Sequence, residues 1–438
     1  MIWFHLAVVL LFIFLGARMG GIGVGLAGGA GVLVLALTGL HTKAAEDVPW
    51  GVVGIIMPVI CAVAAMQLAG GIDYLVHLTE RLLRKHPTRI TYLAPFVTYM
   101  MSLLCGTGHT AYSILPVVVD VAKEHDIRPS RPLSIAVVAS QVAVAASPIS
   151  AAMVALATAV APLHVGYLQC LAIVIPTTFI GCVVGAVVAS HLGVELRDDP
   201  IYQKRLAEGL VSRNTAHTDD SWRPAPAAKK SLVIFLIALV SVVVYASLVS
   251  KEIAIIKNPP MDSTSAIMVI MFSAAALICV AARKPTAAIA SQDTFRAGMV
   301  AAICIIGLAW LGNMFVNNYM DAIRHALSGP LQAQPWLAAV FFYFAAPLMF
   351  SHAATTTAFM PLFVKIGLPA VALLAAYPAV ANYYLLPNYP TTVAAMEMDD
   401  TGSTRVGKFV LDHPFVIPGT VSIIVTVVLG FLWGAVIL

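Results

Sequence analysis

Residues 90–120, ITYLAPFVTYMMSLLCGTGHTAYSILPVVVD, and 143–153, AVAASPISAAM, decide how this chain folds. The first stretch is apolar from Ile90 to Leu104, is interrupted by Cys105-Gly106-Thr107-Gly108-His109, and resumes from Thr110 to Ala122. At 1.5 Å per residue its arms are about 22 and 20 Å long, too short for a hydrocarbon core of about 30 Å. They predict a re-entrant hairpin with a polar tip at mid-depth. The next segment, Leu133 to Ala161, is long enough to cross but carries Ser147-Pro148 at its centre. Proline removes a helix hydrogen bond and is comfortable only in the first turn of a new helix, with serine as its cap. The spacing predicts a broken helix over 132–162.

The rest of the chain fixes the solvent around those breaks. Of its 438 residues, 60% are hydrophobic and 11% charged, where soluble domains run near a quarter charged. No Asp, Glu, Lys or Arg occurs from Pro132 to Val194, from His325 to Val364, from Ile366 to Met396, or after Asp412. Those runs exclude a soluble globular fold. Stretches such as SLVIFLIALVSVVVYASLV, Ser231 to Val249, lack the alternation of a membrane β-barrel. Simple spans are expected near 2–17, 20–40, 48–71, 168–191, 231–250, 264–282, 297–316 and 414–436. The apolar N-terminus has no basic lead and no small-residue cleavage site, so it reads as a retained first helix. All six cysteines lie in apolar segments with no CxxC pair, which points to packing and to no metal or other cofactor. A net charge of +4 says nothing about nucleic acid, and none is expected as a partner.

The second half repeats the first. Laying Pro116 on Pro361 pairs GTGHTAYSILP with SHAATTTAFMP, and laying Pro148 on Pro390 pairs ASPISAAM with NYPTTVAAM. A second hairpin is thus expected over 333–365 and a second broken helix over 368–396. Placing the loop at 80–89 in the cytoplasm puts 20 of the 25 lysines and arginines on that side and leaves Lys43, Lys251, Lys257 and Arg324 outside, with Lys365 near the outer end of its arm. The division implies two inverted-topology repeats, residues 1–191 and 231–438, joined by a mixed-charge cytoplasmic linker at 192–230. Inverted repeats with discontinuous helices are the architecture of secondary transporters working by alternating access.

Candidate chemistry sits at the two tips and two breaks: Thr107, Gly108, His109 and Thr110; Ser147 and Ser150; Ser351, His352 and Thr355; Asn388 and Thr391. Each marks the start of a half-helix, and four N-termini converging at mid-membrane suit an anion. Hydroxyls and amides supply further donors, while His109 and His352 are candidate substrate contacts or proton carriers. The dense glycine run, Gly20 to Gly31, lies inside a span and reads as close helix packing, within the chain or between subunits. No HExxH, no GxSxG elbow, no Cys/His metal cluster and no central carboxylate pair argues for an enzyme.

CGTGHTAYSILP (Cys105 to Pro116), ASPIS (Ala146 to Ser150), LLPNYPTT (Leu385 to Thr392) and the closing DDTGSTRVGKFVLDHPFVIPG resemble the anaerobic four-carbon dicarboxylate (Dcu) transporter family, and the resemblance runs nearly end to end. It implies a bacterial inner-membrane carrier for fumarate, succinate, malate and aspartate, exchanging an incoming dicarboxylate for succinate. It further implies a homodimer with elevator-type movement, and brings in a sensor-kinase partner. A carrier for another small organic anion, with or without cation coupling, is the alternative. Departures cluster in the second half: three consecutive threonines occupy 355–357, and where the family pattern reads TYPSD this chain has NYPTT, with no carboxylate at 392.

Overall fold

A computed structural model describes residues 1–19, 22–48, 50–211, 223–249, 256, 258–349, 351–386, 389–409 and 411–438. Among the described residues every regular element is helical. The first half comprises α1 (Ile2–Met19), α2 (Gly23–Leu37), the single turn α3 (Ala44–Asp47), α4 (Trp50–Leu68), α5 (Gly71–Lys85), α6 (Ile90–Cys105), α7 (Leu115–Glu124), α8 (Ser130–Ala146), α9 (Ala151–Val160) and α10 (Tyr167–Ser190). After α11 (Pro200–Ala207) come α12 (Ala228–Val249), α13 (Ser263–Ala282), α14 (Asp293–Asn318), α15 (Met320–Ala333), α16 (Leu337–Met349), α17 (His352–Lys365), α18 (Ala370–Ala376), α19 (Pro390–Met398) and α20 (Val416–Ile437). The two halves read alike. In each, helices lead into a short-armed hairpin (α6–α7, α16–α17), a broken helix (α8–α9, α18–α19) and one long final span (α10, α20).

Packing repeats as well as order. α2 packs on α14 as α4 packs on α13, α1 lies on α2 as α12 lies on α13, and α10 meets its counterpart α20. Small residues permit the closest of these crossings: Gly25 and Gly28 of α2 rest on the α14 backbone at Ile303, Cys304 and Gly307, where a Cβ would collide with main chain. The glycine run is therefore packing within this chain, although Gly29 faces open space and Gly20 and Gly21 lie outside the described residues. α8 is the centre of the molecule, buried along its length except at Arg131 and enclosed by α6 and α10. Large apolar side chains such as Phe272 and Leu432 instead face outward on α13 and α20. An aqueous protein could not carry such a surface without aggregating, whereas a bilayer solvates it.

Two boundaries differ from the expectations, and the linker gains contacts that its sequence does not reveal. The span at 48–71 does not end in a loop: α4 bends by 69° into the amphipathic α5. Gly70 makes the turn at φ 81°, in the left-handed region that glycine alone enters freely. The second broken helix breaks well before Pro390, because Pro378 follows α18 and forces a 3₁₀ turn over Tyr377–Ala381. Asn382 then holds the irregular chain by donating its amide to the Tyr343 carbonyl at 2.7 Å. Finally, the linker is anchored at its start. Arg128 pairs with Asp199 at 2.6 Å, and Arg205 of α11 donates to the Asp400 carbonyl at 2.8 Å. Residues 212–222 of the linker lie outside the described residues, as do Asn388, Lys251 and Lys257.

Candidate binding site at the converging half-helices

Local chemistry builds each half-helix start. Gly106 ends α6 at φ 68° and packs on Ile149, whose Cγ1 would lie 3.1 Å from an added Cβ. Thr107 then opens a 3₁₀ turn, Gly108–Ser113, by accepting the His109 N–H at 3.3 Å. The first tip thus leads into a 3₁₀ turn and, unlike the expected half-helix start, α7 itself begins only at Leu115. Thr110 donates to the Thr107 carbonyl at 3.2 Å. Ser150 caps α9 by accepting the Met153 N–H at 3.1 Å, and Ser351 caps α17 by accepting the Ala354 N–H at 3.2 Å. Pro390 stands at the first position of α19, where its missing N–H is no loss.

Tertiary contacts bring all four starts to the last turns of α8. Ser147 donates to the Leu103 carbonyl at 2.6 Å, tying the first break to the first hairpin. The Gln141 amide donates to Thr391 Oγ1 at 3.0 Å, which ties α8 to the second break. His352 Nε2 donates to the Gln141 carbonyl at 2.9 Å, bringing in the second hairpin and fixing the imidazole proton on that nitrogen. Tyr377 donates to the Ala145 carbonyl at 2.9 Å. An aromatic column continues the cluster: His352 meets Tyr383 edge to face at 4.5 Å, and Tyr383 stacks on Tyr389 at 4.7 Å. These carbonyls and hydroxyls lie where lipid cannot solvate them, so each bond made here removes a cost of about 1–3 kcal/mol.

A cavity of about 570 Å³ opens beside this cluster. Its walls are Ile56, Ile60 and Val63 of α4 with Thr294 and Gly298 of α14, and its floor is the first hairpin tip with Ile149. Thr107, His109 and Thr110 line it, as does Tyr112, which stacks on His109 at 5.7 Å. Gly108, Ser147 and Ser150 are buried next to it. Ser351, His352, Thr355 and Thr391 do not line it; they form a second group joined to the first through Gln141. The three threonines of α17 spend their protons on their own helix, Thr355 on Ser351, Thr356 on His352 and Thr357 on Ala353. Asn388 lies outside the described residues. Among the described lining residues the charged group is a carboxylate, Asp293 at the rim, and no lysine or arginine is present. An anion entering here passes the Asp293 carboxylate at the rim and then meets helix ends and neutral donors.

Three participants escaped the sequence reading. Gln141 carried a usable signal, being the one amide side chain between Pro132 and Leu168 in a run without charge. Tyr383 and Tyr389 carried none, since tyrosine near a membrane segment is ordinary.

The whole chain, residues 1–438, matches the family described as anaerobic C4-dicarboxylate membrane transporter. The chain belongs to that family. Relatives include the C4-dicarboxylate transporter DcuA of Wolinella succinogenes, 49% identical with all of both chains covered, and DcuA of Escherichia coli K12, 46% identical over 98% of each. The anaerobic C4-dicarboxylate transporter DcuB of Escherichia coli O6:H1 is 32% identical over 98% of each chain. Among solved structures, the YdaH transporter of Alcanivorax borkumensis superposes with TM-score 0.59 over 98% of this chain and 96% of its own at 15% identity. MtrF of Neisseria gonorrhoeae gives 0.56 over 92% and 84%, also at 15% identity. Those two likenesses speak for the fold. The protein is a multi-pass membrane transporter of the Dcu family, not an enzyme, with the hairpins and broken helices its sequence led us to expect.

Proposed function

We propose that this protein is a secondary active carrier of C4-dicarboxylates in the bacterial inner membrane, taking up fumarate, malate or aspartate in exchange for succinate. The observation that carries the reading is the convergence of four half-helix starts on residues 141–150 beside a cavity lined by Thr107, His109 and Thr110, with no lysine or arginine among its described lining residues. A doubly negative substrate there needs several donors at once, because a single helix end contributes only about 0.3–2 kcal/mol while burying an unpaired carboxylate costs far more. One carboxylate is assigned to the first group, Thr107, Gly108, His109, Thr110, Ser147 and Ser150. The other is assigned to Ser351, His352, Thr355, Asn388 and Thr391.

The cavity is rimmed by Gln67 near the end of α4 and by Asp293 and Thr294 at the start of α14. Both ends belong to the side that the charge division assigns to the cytoplasm, so we read this form as inward-open, with residues 1–191 and 231–438 as inverted repeats and 192–230 as a cytoplasmic linker. A homodimer moving its hairpins against a fixed frame completes the reading. Counterflow tests it: proteoliposomes preloaded with succinate should take up external labelled fumarate faster than empty ones. Equal rates would describe a channel and remove the exchange.

A further inference from the structure

The strongest feature left over from that reading is Gln141. It is 2% exposed, lies one layer behind the cavity lining, and its side chain bonds Thr391 of the second group while abutting Gly108 of the first. On one side its Nε2 lies 2.5 Å from where a Cβ on Gly108 would stand, so the first hairpin tip approaches it only because residue 108 is glycine. On the other it donates to Thr391 Oγ1 at 3.0 Å, and to Ser140 Oγ at 3.3 Å. Ser140 already gives its proton to the Val137 carbonyl at 2.7 Å, so its oxygen acts toward Gln141 as an acceptor. Both N–H bonds of the amide are thus directed at neutral hydroxyl oxygens. A carboxylate is a better acceptor than either, since a charged partner makes the bond shorter and roughly twice as strong.

We propose that Gln141 is a specificity-determining ligand of the substrate: its amide leaves one hydroxyl partner and donates to a substrate carboxylate. The proposal rests on the dicarboxylate reading above. It gives the cation-poor site a donor that reaches between the two half-sites, and so lets one residue sense how far apart the two carboxylates are. The main chain extends the consequence. Gln141 also holds the second hairpin through its carbonyl and His352, so engagement of its side chain is felt where that hairpin begins.

The test uses the full-length protein in nanodiscs and calorimetric titration with three ligands: succinate, its monoamide succinamate, and the one-carbon-longer glutarate. Gln141→Glu turns a donor into an acceptor. It should weaken succinate at least thirtyfold while changing succinamate less than threefold, because the ligand's amide can now donate to the new carboxylate. Gln141→Asn keeps the chemistry but withdraws it by one methylene, and should move the succinate-to-glutarate preference at least fivefold toward glutarate. A purely structural role would scale all ligands alike, so unchanged preferences in the folded variants overturn the proposal. Should Gln141→Glu not fold, Gln141→Asn decides alone. Wild-type protein that binds none of the three overturns the substrate reading together with this one, whereas wild-type binding with unaltered preferences in the variants overturns only the role of Gln141.

Discussion

At the scale of single residues, shape matters as much as chemistry. Gly108 has an ordinary backbone and is glycine for space alone, because any side chain would press on Gln141. Gly29, in the same chain and in a helix, faces nothing within 4 Å. Overpacking a filled site costs about 1–3 kcal/mol, while an exposed helical glycine replaced by alanine gains up to about 1 kcal/mol. Gly108→Ala should therefore cut fumarate uptake at least tenfold and lower the unfolding temperature. Gly29→Ala should leave uptake unchanged. Thermal unfolding and uptake measured on both would reject this account if the two variants behaved alike. The sequence could name Gly108 as part of the tip, but the surface it fits against lies 33 positions further along the chain and only folding brings them together.

Helix starts are the next scale up. Ser150 caps α9 through a single bond to the Met153 N–H, and it is 1% exposed. Loss of such a cap costs about 0.5–2 kcal/mol. Aspartate caps as well as serine and suits the positive end of the helix dipole. It also brings a negative charge to a site that must accept one. Ser150→Asp should thus keep the cap but lose stability through its buried carboxylate and bind succinate at least tenfold more weakly, whereas Ser150→Ala should lose only the cap's contribution. If the aspartate variant binds succinate normally, the α9 start is not part of the anion site. Ser147-Pro148 made the first break readable in advance and Pro390 made the start of α19 readable, for proline has few comfortable positions in a helix. The earlier break at Tyr377 stayed hidden, since Pro378 alone does not reveal that Asn382 will secure an irregular chain by reaching Tyr343.

Across the whole molecule the two ends of α14 behave differently. Near its start the cavity is open. Near its end, Asp47, 4% exposed, accepts from Thr42 Oγ1 at 2.6 Å, the Lys43 N–H at 3.0 Å and Asn317 Nδ2 at 2.8 Å. Asn317 in turn accepts from Lys365, the last residue of α17, at 3.0 Å. This chain of bonds fastens the second hairpin to the frame on the face away from the cavity mouth. The exposed Lys365–Asn317 bond contributes under about 1 kcal/mol, enough to shift a balance between two conformations severalfold. Lys365→Ala and Asp47→Ala should each reduce cytoplasmic labelling of a cysteine placed at Thr294 by an impermeant thiol reagent in inside-out vesicles. Asp47→Ala should have the larger effect because it orphans buried donors. Labelling equal to wild type in both would mean the contact does not bias the transport cycle.

Composition and spacing alone determined that this is a helical membrane protein of two similar halves, each with a hairpin and a broken helix, because bilayer thickness and proline's missing N–H are constraints any such segment must obey. They also named the tips and breaks as the polar positions, since lipid tolerates free backbone groups only where protein or water covers them. What the tertiary structure decided is which of those positions meet. Gln141 to Thr391, His352 to the Gln141 carbonyl, and Lys365 to Asn317 join residues 250, 211 and 48 apart in sequence. Such pairings depend on how helices cross, which is set by the summed packing of many small side chains, and no local pattern records that sum.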